Sequence, residues 1–197
     1  MLAKNIVVNS YPRSASIFFL NLLYMISAEK IYGASIHVPK LVGSKEVIGC
    51  TIIRDPIDCI SSRLFQGYGG KRFIDTDVDE DLIKSQCEEY LLYMDMSNIT
   101  KAYTVGFDLI VKSPIEEGIK FLEKHEVLVD RRYCEDIKNK DIWTLMPKER
   151  DTIYDGHYPR QIQDNISYIE IRRSVKDSKS IIQAQEAYFD FISKQNN

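Results

Sequence analysis

Two short apolar runs, residues 5–8 and 47–53, each end in a polar corner and pass directly into a helical pattern. Both are too short for a helix and rich in β-branched residues, so buried strands are expected. The first leads through a loop at residues 9–16 to a helix at residues 17–28, apolar on most sides. The second leads through Arg54 to Asp55 and Pro56, a good N-cap followed by a good first helical residue, and then to a helix at residues 57–65. A helix that crosses back over a sheet returns the chain in its original direction, so these units predict parallel strands. The expected fold class is α/β: a central parallel sheet flanked by helices in three layers, as one domain over residues 1–197.

The remaining elements follow the same reasoning. The glycine-rich stretch at residues 67–77 predicts a mobile loop, a lid candidate, and a long helix is expected over residues 79–98. Residues 102–110 predict a third strand. Ser113, Pro114 and Glu116 predict a helix start with a capping box, and that helix ends near His125, where a positive charge would suit the helix dipole. A short helix is expected over residues 130–139. Residues 140–167 read as irregular, with Trp143, Tyr154 and Tyr158 available for an acceptor pocket or a subunit contact. A last strand is expected at residues 168–172 and a terminal amphipathic helix at residues 175–194. The aromatics of "EEYLLYMDM" and "AQEAYFDFI" fall at helical spacing and read as core.

Charge and composition exclude several classes. The net charge is −3, whereas a general nucleic-acid binder is usually basic, so no nucleic-acid partner is expected. The apolar run at residues 17–26 contains Asn21 and is half the roughly 20 residues a membrane span needs, so no membrane role is expected. The first residues lack the apolar stretch and cleavage site of a signal peptide, which points to a cytoplasmic protein. Cys50, Cys59, Cys87 and Cys134 form no CxxC pair, so free thiols in a reducing compartment are expected rather than a metal site. Abundant Lys, Ile, Asn and Tyr fit an AT-rich genome, such as that of a phage or a low-GC bacterium.

The corners carry the chemistry. A loop of small residues at a helix start presents backbone N–H groups at the positive end of a dipole, a natural seat for phosphate or sulfate. Arg13 would add a charge there, and Ser14 and Ser16 two hydroxyl donors. The GxxxxGK[ST] pattern of common ATP and GTP loops is absent. At the second corner Arg54 precedes Ser62 by eight positions, about two helical turns, so both can grip one anion beside the helix. The plain alternatives are a tight turn with a solvated Arg13, and Arg54 paired with Asp55 or Asp58.

Together these segments resemble the sulfotransferase family. "YPRSASIF", residues 11–18, resembles its 5′-phosphosulfate loop, and "IIRDPIDCISS", residues 52–62, resembles its 3′-phosphate motif. "SIHVPKL", residues 35–41, is similar to the segment that carries the catalytic histidine, and "VGFDLI" at residues 105–110 is faintly similar to a later strand end. The resemblance covers roughly residues 5–65. It implies the sulfotransferase variant of the P-loop fold and 3′-phosphoadenosine 5′-phosphosulfate (PAPS) as sulfuryl donor. It also implies a hydroxyl acceptor on a small molecule, sugar or protein. By this carry-over residues 13–18 (Arg13, Ser14, Ala15, Ser16, Ile17 and Phe18) hold the 5′ end, and Arg13 stabilises charge on the leaving oxygen. Arg54 and Ser62 hold the 3′-phosphate, and His37 is the base; no metal is implied.

The chain departs from the family at several points. Arg13 stands for a lysine, Ala15 for a glycine, Ile17 for a threonine and Ser35 for a lysine two before the histidine. The late glycine-rich loop has no counterpart, and Arg160, Arg172 and Arg173 are candidates to replace it. Two other readings therefore stay open: a binding or structural module, such as a phage virion or assembly component, that kept the fold without catalysis, and a small-molecule kinase with an unusual loop. His37 alone would also read as a surface histidine before a proline turn. A homo-oligomer remains open.

Overall fold

The computed structural model describes residues 4–12, 14–37, 47–66, 78–99, 103–145 and 166–195. Four strands form one sheet: β1 Lys4–Ser10, β2 Ile31–Ile36, β3 Val47–Ile53 and β4 Tyr103–Gly106. Their order is β2-β1-β3-β4 and every pairing is parallel. The two apolar runs of the sequence are thus the two central strands. Their alternate side chains, Ile6 and Val8 on β1 and Cys50 and Ile52 on β3, are fully or almost fully buried.

Helices cover both faces. Ile52 packs into one apolar cluster and the next residue, Ile53, into the other, and successive strand side chains point to opposite faces. The first cluster is closed by α1 Ser16–Ile26, α4 Phe107–Lys112, α5 Pro114–Lys124, α6 Arg131–Ile137 and α7 Ile142–Leu145. The second is closed by α2 Pro56–Gln66, α3 Glu80–Ile99, α8 Ile166–Asp177 and α9 Ile181–Gln195. This is the α/β architecture expected from the order of strand and helix patterns.

Several expectations need correction. Residues 168–172 alternate in polarity like a strand, yet they lie inside α8, whose buried residues Tyr168, Ile171 and Val175 follow the helical period. The terminal helix is two helices. Between them the Ser178 and Ser180 hydroxyls both donate to Glu80 Oε1, at 2.6 and 2.9 Å, which pins the chain reversal to α3. The third strand stops at Gly106, and residues from Phe107 are helical, burying Phe107 and Ile110 one turn apart. Strand β2 has no counterpart in the sequence reading: it is an edge strand of small and mixed residues whose burial is uneven. Helix α5 does begin at Pro114, but the Ser113 side chain makes no capping bond. The four cysteines are free and buried. No described helix is long and apolar enough to cross a membrane.

The end of α5 shows a further difference. Burial, then Lys124 and Lys4, lower the His125 pKa, which disfavours the charged ring expected there. Lys4 takes that role: its Nζ donates to the carbonyls of His125 and Glu126, each at 2.6 Å.

Strand β2 sits tightly under α1. A Cβ on Gly33 would lie 2.5 Å from Leu20 Cδ1 and 3.1 Å from both the Ile6 carbonyl oxygen and the Tyr24 hydroxyl. Gly33→Ala is therefore expected to destabilise the protein by about 1–3 kcal/mol through overpacking. A lower urea midpoint at unchanged slope would verify this; an unchanged midpoint would mean that the edge strand can shift.

Candidate functional site

Strand order sets where ligands can bind. The chain leaves β1 for β2 on one side of it, then returns to β3 on the other. Crossovers therefore diverge between β1 and β3, and open α/β sheets bind ligands beyond the C-terminal strand ends at such a point. Ser10 is register partner of Ile52, so the corners at residues 11–16 and 54–55 leave adjacent strands at the same level. Asn9 is register partner of Ile36, which brings His37 to the same edge from β2.

At the first corner Ala15 is the N-cap of α1 and adopts φ 59°, ψ 26°, the left-handed region. That conformation costs a non-glycine residue about 1–2 kcal/mol and lets the loop curl around the helix start. The N-cap residue makes no side-chain capping bond and no acidic residue lies in the first turn of α1. Ser14 is buried and its Oγ has no hydrogen-bond partner among the described residues. Ser16 is buried too, and its Oγ accepts from the Ser35 hydroxyl at 2.7 Å, tying β2 to the first turn of α1. Ile17 is half-buried, and the Phe18 side chain packs into the core, so only its backbone is left for a ligand. Arg13 lies outside the described residues.

His37 is exposed at the end of β2. Its Nδ1 is 3.1 Å from the Ser10 carbonyl oxygen and 3.5 Å from Ser10 Oγ. A carbonyl can only accept, so the bond to Ser10 puts the ring proton on Nδ1 and makes Nε2 the acceptor nitrogen.

At the second corner Asp55 caps α2 as expected: Oδ1 accepts from the N–H groups of Ile57 at 2.8 Å and Asp58 at 3.3 Å. Burial, followed by the nearby Asp58 charge, raises the Asp55 pKa. Asp58 in turn accepts from Arg172 Nε at 2.8 Å. The Arg54 guanidinium carbon lies over the Phe107 ring, 4.3 Å from its centroid, and the Arg54 carbonyl accepts from the Tyr90 hydroxyl at 2.8 Å. Ser62 is buried on α2, one turn beyond Asp58 and on the same face. Arg172 is therefore held on the helix face that carries Ser62. Arg173 is exposed, while Arg160, Tyr154, Tyr158, the loop at residues 67–77 and the side chain of Trp143 lie outside the described residues.

Some residues at this edge have no assigned role in the sequence reading. Asn9 is buried at the end of β1 with its Oδ1 unpaired among the described residues; an asparagine that closes a buried apolar run was the available signal. Tyr11 is buried, and its hydroxyl donates to Gln86 Oε1 on α3 at 2.8 Å. Arg63, next to Ser62, lies 5.0 Å from the Tyr11 ring centroid and pairs with Glu89 at 2.8 Å. Helix α3 thus touches both corners, which no local pattern reveals.

No protein-family model and no curated protein matches this chain. Among solved structures, it is similar to mouse sulfotransferase SULT7A1 in complex with PAP, with a TM-score of 0.52 and 10% identity. The match covers 90% of this chain and 89% of the mouse chain. At that identity the likeness concerns the fold, and the protein described here has the sulfotransferase fold.

Proposed function

We propose that the chain is a sulfotransferase that moves a sulfuryl group from PAPS to a hydroxyl acceptor. One observation carries the reading most directly. The Ser14 hydroxyl is buried without a partner among the described residues, beside a helix start whose N-cap, Ala15, offers no side-chain cap. A buried hydroxyl left unmade costs about 1–3 kcal/mol, and a phosphate oxygen would satisfy it. The nucleotide in the mouse structure, PAP, is the form such a donor takes after transfer.

Sulfuryl transfer needs positioning and charge stabilisation more than covalent help from the protein. The 5′ end would rest on the N–H groups and hydroxyls of residues 13–18, with the Arg13 charge close to the leaving oxygen. Arginine holds its proton too firmly to act as an acid, so its part is electrostatic. Arg54 and Ser62 would hold the 3′-phosphate, with Arg172 the third cation best placed, through Asp58, on the Ser62 face of α2. His37, with Nδ1 committed to Ser10, would take the acceptor proton on Nε2. The bound donor supplies the sulfuryl group. The acceptor class stays broad: a small molecule, sugar or protein hydroxyl. A single domain acting in the cytoplasm is part of the same proposal.

Thermal shift separates the readings. Adenosine 3′,5′-bisphosphate at 100 times its dissociation constant should stabilise the protein by about 2.7 kcal/mol, while ATP should not. Stabilisation by ATP alone would point to a kinase, and no response to either to a module without nucleotide. His37→Ala should lower transfer by about 10²–10⁴-fold and leave nucleotide affinity intact, measured by turnover and calorimetry. Unchanged turnover would remove the histidine from the chemistry. Arg54→Ala should weaken the 3′,5′-bisphosphate far more than adenosine 5′-phosphate; equal weakening would contradict the contact.

A further inference from the structure

One face of α3 supports both corners of the candidate site. Gln86, Glu89, Tyr90 and Tyr93 follow i, i+3, i+4 and i+7 spacing and so lie along one stripe. Gln86 accepts from the Tyr11 hydroxyl at 2.8 Å. Tyr90 and Tyr93 meet the Tyr11 ring edge to face, each with centroids 5.6 Å apart. Glu89 holds Arg63, whose guanidinium lies over the same ring. Tyr11 is the residue from which the Ser14–Ser16 loop departs.

Tyr90 does more than pack. It is 1% exposed, its ring edge touches Tyr11 at the first corner, and its hydroxyl donates to the Arg54 carbonyl at the second. Each corner sits just past a strand end, where the sheet ladder no longer fixes the backbone. The Arg54 carbonyl has left β3, and Tyr11 has left β1. A rigid aromatic side chain with one hydrogen bond at its tip is well suited to hold two such segments at a set separation.

We propose that Tyr90 is a positioning residue: it fixes the distance between Tyr11, where the first corner begins, and Arg54, and so selects a nucleotide bearing phosphate at both its 5′ and 3′ ends. The inference rests on the sulfotransferase reading of the site. Tyr90 acts through Arg54. Helix α3 meets Tyr11 and the Arg54 carbonyl, so the device bears on nucleotide selection.

Tyr90→Phe is the decisive variant, because it keeps the ring and removes only the bond to Arg54. Affinity for adenosine 3′,5′-bisphosphate should fall about three- to tenfold, the size of one lost hydrogen bond. Affinity for adenosine 5′-phosphate should stay within about twofold. In an Arg54→Ala background the same change should have no further effect on the bisphosphate, since the group it positions is gone. Calorimetry on the four proteins reads all of these. Equal loss for both nucleotides, or a loss that persists without the Arg54 side chain, would overturn the positioning role and leave only packing. Retained selectivity in Tyr90→Phe would overturn it while the sulfotransferase reading stands. A wild-type protein that does not prefer the bisphosphate would overturn both.

Discussion

Strand β1 is hydrogen-bonded on both sides by parallel neighbours, and the chemistry of the molecule depends on that pairing. Parallel strands end at a common edge. With β2 on one flank and β3 on the other, the segments that follow all three strands emerge together. His37 can then reach the Ser10 carbonyl although 27 positions separate them. Ser35 likewise reaches Ser16 across 19 positions. A different strand order would scatter these groups, whatever the local sequences at the corners.

The corner itself is held in a costly state. Ala15 accepts left-handed geometry, and Ser14 and Asn9 keep buried polar atoms unpaired among the described residues. Such costs persist only where the surrounding structure over-determines the backbone. Here the over-determination is visible. Tyr11 before the loop is clamped by α2 and α3, and α1 after it is buried along most of its length. The strain therefore sits between two anchored segments.

Much of this arrangement was legible from the residues. The two central strands, the helices that follow them and the Asp55 cap announce themselves by β-branched runs, periodicity and turn chemistry. Three things were not legible, each for a physical reason. Strand β2 is an edge strand, so its residues lack the apolar regularity that burial imposes on β1 and β3. Helix α8 presents a two-residue alternation that matches a strand until packing selects the Tyr168, Ile171 and Val175 stripe. The contacts of α3 with Tyr11 and Arg54 join residues 75 and 36 positions apart, a separation no local window spans. The polar tips of core aromatics are invisible until their partners are in place.

The bond from Lys4 to the carbonyls that close α5 has a bearing on how the molecule is made. Its two ends are 121 and 122 positions apart, so the central strand leaves the ribosome long before its anchor is synthesised. Strand β1 must also wait for β3 before its second ladder forms. A nascent chain thus exposes the unpaired edges of β1 until residues 31–53 supply its two neighbours, and such edges are prone to association. The order of synthesis also leaves the Lys4 end of the central strand unanchored until residue 126 has been made.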